Sequence, residues 1–245
     1  MNFKSLFITT SALFLFCQAQ AQSAAELLKA SDRARGSAIG GLTWKSTIET
    51  SEDGDSSTRE FMVKVKDNDA YVEALQPARN KGEIFIFNDR NMWFFKPSLK
   101  RPVSISARQK LTGQAANGDI ASTNYARDYT PTLEKTEVLN GEKMHVLLLK
   151  AKGENMTYDQ IRYWIRDKDK LAVKADFLTA QGKAFKSGTM EYKNTVSVGG
   201  QKIPFVSKLI IVDSKFTQNR SIISYGQPRA ETHSASLFKV SNLTR

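Results

Sequence analysis

The densest apolar stretch of the chain is segment 82–95, in which eight of fourteen residues are Ile, Phe, Met or Trp. A polar step at 88–91 divides it, and Asn88-Asp89 is typical of a tight turn, so the segment predicts a β-hairpin. A strand with one face on the core alternates apolar and polar residues, but here both faces of both strands are apolar. Either the hairpin is the sandwiched centre of a large core, or one face lines something other than protein.

Alternation predicts strands through most of the remaining chain. Residues 42–50 place Trp44, Ser46 and Ile48 on one side. The inward set of 59–67 is Phe61, Val63 and Val65, that of 158–167 is Ile161, Tyr163 and Ile165, and that of 171–180 is Leu171, Val173, Ala175 and Phe177. Further strands are expected over 70–77, 103–106, 143–151, 188–198, 202–214 and 221–226. Because the connecting turns are short, we expect an antiparallel meander that forms one domain over 22–245.

Helices are expected in only two places. Segment 24–36 predicts an N-terminal helix that stops at Gly36. Segment 107–128 has few β-branched residues and suits two short helices, the second capped by Asp119 with Ile120 and Tyr125 on its inner side. Two short helical segments are too few to cover the apolar face of about ten strands. We therefore expect a mainly β fold whose concave face is incompletely filled and favours an apolar ligand.

The residues expected to line this cavity come from the inward faces. They are Trp44, Phe61, Val63, Ile84, Ile86, Met92, Phe94, Ile120, Tyr125, Ile161, Tyr163 and Phe177. The register of the 82–95 hairpin is open, because a one-residue slip exchanges its faces. The favoured inward set is Ile84, Ile86, Met92 and Phe94, since Met adapts to a ligand and the indole N–H of Trp93 prefers a polar partner. The alternative set is Phe85, Phe87, Trp93 and Phe95.

The first 21 residues have the pattern of a signal peptide. Lys4 precedes the apolar stretch 6–16, and Ala19-Gln20-Ala21 matches a signal-peptidase site, so we expect cleavage after Ala21 and export to the periplasm. Cys17 raises the alternative of a lipoprotein, although Phe16 stands where the lipoprotein peptidase prefers a small residue. Cleavage after Ala21 removes the single cysteine and leaves no disulfide or thiolate site.

The chain is basic, with a formal net charge of +11 that falls to +10 without Lys4. Its basic residues are dispersed rather than striped along a helix, and nucleic acid is not an expected partner of an exported protein. Attraction to anionic lipid head groups fits the charge better, with Lys96, Lys100, Arg101, Arg108 and Lys110 expected near the cavity mouth. Net charge that only keeps the protein soluble is the alternative.

Catalytic and metal-binding signatures are missing from the sequence. No nucleophile elbow, zinc helix, phosphate loop or dinucleotide motif occurs. His145 lies in an apolar strand, and His233 lies in a polar loop without an obvious partner. The aspartate pairs 67/69 and 167/169 lack the glycine and glutamate of a calcium loop. We therefore expect no catalytic residue, no metal, no cofactor and no enzymatic activity.

Several stretches resemble a known family. They are 74–106, 111–133, 161–186 and 199–213, within a similarity that runs over most of 60–215. The most specific features are Pro77-Ala78-Arg79, Lys81-Gly82, the Trp93 strand, Pro97 and Gly118-Asp119 leading to Asp128-Tyr129. This pattern resembles the outer membrane lipoprotein-sorting proteins, a branch of the LolA-like superfamily that shares its fold with LolA, LolB and RseB-type proteins. The tail 227–243 keeps only a loose version of the family's closing Leu-Phe pattern.

The resemblance implies an unclosed antiparallel β half-barrel of about 10–11 strands, capped by helices over a cavity that receives acyl chains. It also implies a monomeric periplasmic carrier or chaperone that shelters the acyl chains of lipid or lipoprotein between membranes. An inner-membrane ABC-type exporter and an outer-membrane acceptor are the protein partners that this role suggests. The alternative is a non-catalytic lipid sensor or accessory subunit of an envelope regulator or exporter.

Overall fold

The computed structural model describes residues 24–37, 39–121 and 124–243. The predicted signal peptide, 1–21, lies outside these residues. Each helix in the described ranges is too short or too polar to cross a membrane.

Strands make up most of the described chain. The first half contains β1 (Gly41–Glu52), β2 (Asp55–Lys66), β3 (Asp69–Gln76), β4 (Ile84–Asn88), β5 (Asn91–Phe95), β6 (Val103–Ile105), β7 (Lys110–Thr112) and β8 (Ala115–Ala116). The second half contains β9 (Tyr129–Leu139), β10 (Glu142–Ala151), β11 (Gln160–Arg166), β12 (Ala172–Leu178), β13 (Ala184–Glu191), β14 (Asn194–Val198), β15 (Gln201–Phe205), β16 (Lys208–Asp213), β17 (Arg220–Tyr225) and β18 (Arg229–Ala230).

Helical structure is sparse in the described ranges. Helix α1 covers residues 24–33, and α2 is the single turn Tyr125–Asp128. Short 3₁₀ turns lie at Ala78–Asn80, Asn117–Asp119, Ala235–Phe238 and Val240–Asn242.

One antiparallel sheet organises the molecule. Its strand order is β6-β5-β4-β3-β2-β1-β17-β16-β13-β12-β11-β10-β9, and β18 pairs with β1. The end strands β6 and β9 do not pair with each other, so the sheet stays open and is not a closed barrel. The predicted mainly β, unclosed antiparallel fold with an N-terminal helix is therefore confirmed.

The inner face of this sheet carries the main core. Cross-strand partners share a face, so Trp44 and Val63 lie together, as do Tyr163 and Ala175. These residues belong to one continuous buried cluster that spans β1 to β17. The alternation that predicted Trp44, Ser46 and Ile48, and then Phe61, Val63 and Val65, as inward sets agrees with their burial.

The hairpin β4–β5 corrects the register expected from the sequence. Phe85 pairs with Phe94 and Phe87 with Met92, and these four side chains belong to or pack against the main core. Ile84 pairs with Phe95 and Ile86 with Trp93, which places those four on the outer face. Neither proposed set was right: Met92 and Phe94 face inward, but Ile84 and Ile86 do not. The reason is the two-residue turn at 89–90, which pairs even-numbered positions with odd-numbered ones.

The C-terminal segment explains why the outer face of the hairpin is apolar. The 3₁₀ turn Ala235–Phe238 packs against β3 and β4, and Ile86 and Phe238 are both at most 1% exposed. The Asn88 side-chain amide donates to the Phe238 carbonyl at 3.4 Å. His233, expected to lack a partner, is buried with Nε2 at 3.0 Å from Thr43 Oγ1 and 3.2 Å from the Leu42 carbonyl oxygen. The hairpin is thus sandwiched, with protein on both faces.

Other local expectations also need correction. Segment 107–128 forms β7, β8, a 3₁₀ turn and α2 rather than two helices, and Asn124 rather than Asp119 caps α2 by accepting from the Arg127 N–H at 3.2 Å. Strand β9 was not predicted. A register shift between β11 and β12 turns Ala172 inward and leaves Val173 packed on an outer cluster around Trp164. The segments 188–198 and 202–214 each divide into two strands, so that β14 and β15 form a separate hairpin.

Candidate functional site

The candidate site is the concave face of the sheet together with the elements that cover it. Ten of the twelve predicted cavity residues belong to or pack against the main core cluster; the exceptions are Ile84 and Ile86. Aromatic contacts dominate its centre: the Tyr125 ring lies 5.1 Å from that of Tyr129 and 5.5 Å from that of Tyr163. Tyr158 stacks on Phe177 at 4.0 Å.

Helices α1 and α2 cover this face and are joined by a buried contact. Leu28 of α1 and Ile120 beside α2 are fully buried in the core cluster. The Asp32 carboxyl oxygen Oδ2 accepts a hydrogen bond from the Ala126 N–H at 2.7 Å. This bond ties the end of α1 to the first turn of α2, so the two helices form a single cover.

Polar contacts near the surface hold α2 on the rim. Arg127 contacts Asp89 at 3.2 Å in the β4–β5 turn, and Arg90 of the same turn contacts Asp128 at 3.3 Å. Lys152 donates to the Arg127 carbonyl at 2.9 Å. Exposed ion pairs contribute only about 0–1 kcal/mol each, so these contacts position α2 without locking it.

A pocket of about 90 Å³ lies beneath α2. Its lining includes Phe87 and Met92 of the hairpin, Tyr125 of α2 and Tyr129 of β9, together with polar side chains at its rim. Sites for small ligands usually have volumes of roughly 300–1,000 Å³. In this conformation the pocket is therefore too small for an acyl chain, because side chains of the cover fill the space.

A group of polar side chains lies buried between α1 and the sheet. We call Ser31, Asp32, Arg35, Tyr163 and Tyr225 the buried polar cluster; each is at most 6% exposed. Arg35 Nη1 donates to the Tyr163 hydroxyl at 3.4 Å and lies 3.8 Å from the Met190 sulfur. Ser31 Oγ, Asp32 Oδ1, Arg35 Nε and the Tyr225 hydroxyl have no hydrogen-bond partner. Buried polar groups are normally satisfied, so four unpaired atoms in one cluster are unusual.

Burial also changes the ionisation of this cluster. It raises the pKa of the Asp32 carboxyl to about 8, although the Ala126 N–H and the Arg35 charge oppose the rise. Burial raises the pKa of Tyr163 and Tyr225, and Arg35 opposes both shifts. At neutral pH the cluster therefore holds an arginine cation beside largely neutral groups.

A second buried carboxyl stabilises the loop under the cover. Asp119 Oδ2 accepts from the Ala116 N–H and from the Tyr158 hydroxyl, each at 2.8 Å. Burial raises the pKa of Asp119. A Cβ at the neighbouring Gly118 would lie 1.9 Å from Thr157 Oγ1, so any larger residue there would force Thr157 to move. This arrangement has a structural role in holding Ile120 under α2.

Sequence reasoning missed the buried polar cluster, although a signal for it was present. Ala24, Leu28, Ser31, Asp32 and Arg35 follow the helical spacing i, i+4, i+7, i+8 and i+11. The buried stripe of α1 therefore continues directly into polar residues.

The remaining candidate residues pair with nearby carboxylates. His145 lies in β10 as expected, with Nε2 at 2.7 Å from Asp167 Oδ1. Arg108 pairs with Asp159, and Lys110 pairs with Glu52. In the described ranges, no three His, Cys, Asp or Glu side chains come together as a metal site.

Comparison with solved structures gives relatives that match nearly the whole chain. A LolA superfamily protein from Nitrosomonas europaea is 27% identical with a TM-score of 0.78, and the match covers 90% of this chain and 97% of the relative. An outer membrane lipoprotein-sorting protein domain from Vibrio parahaemolyticus is 20% identical with a TM-score of 0.75, covering 92% and 100%. A DUF1329 family protein from Desulfovibrio piger is 18% identical with a TM-score of 0.74, covering 91% and 99%.

Comparison with curated proteins gave no match. A family model of DUF1329-like uncharacterised proteins matches residues 66–245. Together with the solved relatives, this match confirms the resemblance drawn from the sequence. The chain belongs to this DUF1329-like family, within the LolA-like superfamily that includes outer membrane lipoprotein-sorting proteins.

Proposed function

We propose that the protein is a periplasmic carrier that shelters the acyl chain of a lipid or lipoprotein between its open sheet and the α1–α2 cover. The observation that carries the proposal is the wide apolar inner face of a sheet that stays open and is covered mainly by two short helices. Cleavage after Ala21 would release the protein for this role. The mechanism is non-covalent and needs no catalytic residue.

Displacement of the cover makes room for the ligand. Tyr125 lines the pocket under α2, and α2 is a single helical turn. Outward movement of this turn would break near-surface ion pairs and the Asp32–Ala126 bond while leaving the strand ladder intact. Local opening of this kind draws on the least stable elements of a fold.

Burial of the acyl chain supplies the binding energy. Each buried CH₂ contributes about 0.8 kcal/mol, so a chain of about sixteen carbons would contribute on the order of 10 kcal/mol before entropic costs. The displaced cover costs part of this energy. A net affinity in the micromolar range or better is expected.

Native mass spectrometry of protein recovered from its own cell envelope tests the proposal directly. A copurified lipid is expected, and it should be exchangeable for a dansyl-labelled fatty acid. Transfer of the lipid to acceptor vesicles would support a carrier. A stable complex with a membrane or regulatory protein, without transfer, would instead support the sensor or accessory-subunit role.

Neighbouring phenylalanines on opposite faces offer a matched pair of variants. Phe94 packs against the inner core, whereas Phe95 lies on the outer face opposite Ile84. Phe94→Ala should weaken fatty-acid binding several-fold, and Phe95→Ala should leave it within twofold of the wild type. Absence of binding in the wild-type protein, with no copurified lipid, would contradict the proposed function.

A further inference from the structure

The buried polar cluster contains a cation without a counterion. Arginine stays protonated at all physiological pH values. Arg35 is 5% exposed, and no carboxylate in the described ranges lies within ion-pair distance of its guanidinium. A buried charge without a partner costs several kcal/mol, so folds rarely keep one without a use for it.

The neighbours of Arg35 can complete an anion site. The Tyr225 hydroxyl and Ser31 Oγ are buried and make no hydrogen bond of normal geometry, although Tyr225 lies beside Arg35 and Ser31 beside Tyr163. The Tyr163 hydroxyl is bonded only weakly to the guanidinium. Arginine presents N–H groups in a planar fork that suits the two oxygens of a carboxylate or phosphate. One guanidinium and three hydroxyls are enough to replace the water around such a group.

The surroundings of this cluster are apolar. The Tyr225 ring lies 6.4 Å from Trp44 and 6.4 Å from Phe205, and Met190 contacts Arg35 directly. The Arg35 guanidinium also lies 5.5 Å from the centre of the Tyr125 ring. Tyr125 also lines the pocket under α2, so its ring lies between that pocket and Arg35.

We propose that Arg35, with the hydroxyls of Tyr163, Tyr225 and Ser31, binds the anionic head group of an acyl ligand whose chain lies along the inner face. This inference rests on the proposed function and specifies its ligand as an acyl chain that ends in a carboxylate or phosphate. The ligand enters with its head group inward, past Tyr125. A neutral acyl compound gains the apolar contacts but forms no ion pair with Arg35.

The test uses pairs of ligands that differ only in charge. Delipidated protein is titrated by calorimetry with oleate and oleyl alcohol, and with oleoyl lysophosphatidic acid and monooleoylglycerol. The wild-type protein should bind at least one acid ten or more times more tightly than its neutral counterpart. The acid that shows the larger preference identifies a carboxylate or a phosphate head group.

Arg35→Met is the decisive variant, because Met fills similar volume without charge. It should lose the preference for the acid, with a much smaller change in its affinity for oleyl alcohol. If Arg35→Met does not fold, Tyr225→Phe removes one donor hydroxyl and should reduce acid binding several-fold with the alcohol unchanged. Thermal melting of each variant confirms that it is folded.

The outcomes separate the two proposals. Equal affinity of the wild type for acid and alcohol, or a preference that survives in Arg35→Met, would overturn the head-group site while leaving acyl-chain binding intact. Displacement of oleate by millimolar free phosphate or acetate would mean that a small anion occupies the cluster, and this would also overturn it. Failure of every acyl ligand to bind would instead contradict the proposed function.

Discussion

Replacement of Asp32 by Asn tests whether Asp32 is protonated in the folded protein, which leaves the charge of Arg35 without a buried counterion. Burial raises the pKa of this carboxyl from 3.8 to about 8. Between these values the unfolded chain releases the proton and the folded protein keeps it, so the folded state binds more protons. Stability of the wild type should therefore fall as the pH rises through this window, by about 1.4 kcal/mol per pH unit.

The size of the stability loss follows from the gap between the pKa values of Asp32 in the unfolded and folded states. At pH 7 the loss amounts to roughly 4 kcal/mol, and it levels off above pH 8. Asn resembles the protonated carboxyl and can still accept from the Ala126 N–H. Asp32→Asn should thus match the wild type near pH 4 and be more stable at pH 7, with a melting temperature higher by roughly 10 °C.

Thermal melts of both proteins from pH 4 to 9 measure this difference. Other buried groups, Asp119 among them, shape each curve, but they cancel when one curve is subtracted from the other. Asp55→Asn serves as the control, because it removes the same charge from an exposed position. An Asp32→Asn variant that is less stable than the wild type at pH 7 would refute the claim that Asp32 is protonated in the folded protein. It would mean that Asp32 is ionised and balances the charge of Arg35 despite the nearby carboxylate of Asp128.

Three further substitutions test the packing. Ile86→Ala should lower the free energy of unfolding by about 2–4 kcal/mol in a denaturant titration, and Ile84→Ala by clearly less, because Ile86 is fully buried and Ile84 is only partly buried; equal losses would contradict the sandwiched hairpin. Gly118→Ala should give little folded protein on expression, because its Cβ would collide with Thr157, and normal stability would argue against the close approach. His233→Ala should cost about 1–2 kcal/mol and speed proteolysis of the C-terminal tail, whereas unchanged proteolysis would mean that the tail is held elsewhere.

Hydrophobic periodicity predicted the strands that have one face on the core. Strand β9 escaped it because this edge strand carries Glu134, Lys135 and Glu137, and Val138 is 72% exposed. Edge strands are often charged, which protects the open sheet from pairing with another chain. The same property removes the apolar alternation by which a strand is recognised.

The register of the β4–β5 hairpin shows a different limit. Both of its faces are apolar, so no polar face indicates which side chains point inward. The outer face is apolar because Phe238 covers it, and that residue is 150 positions beyond Asn88. A contact so distant in sequence leaves no mark on the local pattern, so the hairpin alone left protein and ligand open as its cover.

The end of the N-terminal helix differs from the hairpin, because its buried face carries polar residues. Apolar residues on a buried face are explained by packing, but Ser31, Asp32 and Arg35 place polar groups at buried positions, where polar groups without partners cost stability. A carrier needs a cover that closes without becoming permanent. Polar groups that are unsatisfied when the cover is closed and empty, and satisfied by a ligand, provide this property. Binding then gives partners to buried polar groups that lacked them. An anionic acyl ligand should therefore stabilise the protein more than its apolar contacts alone would allow.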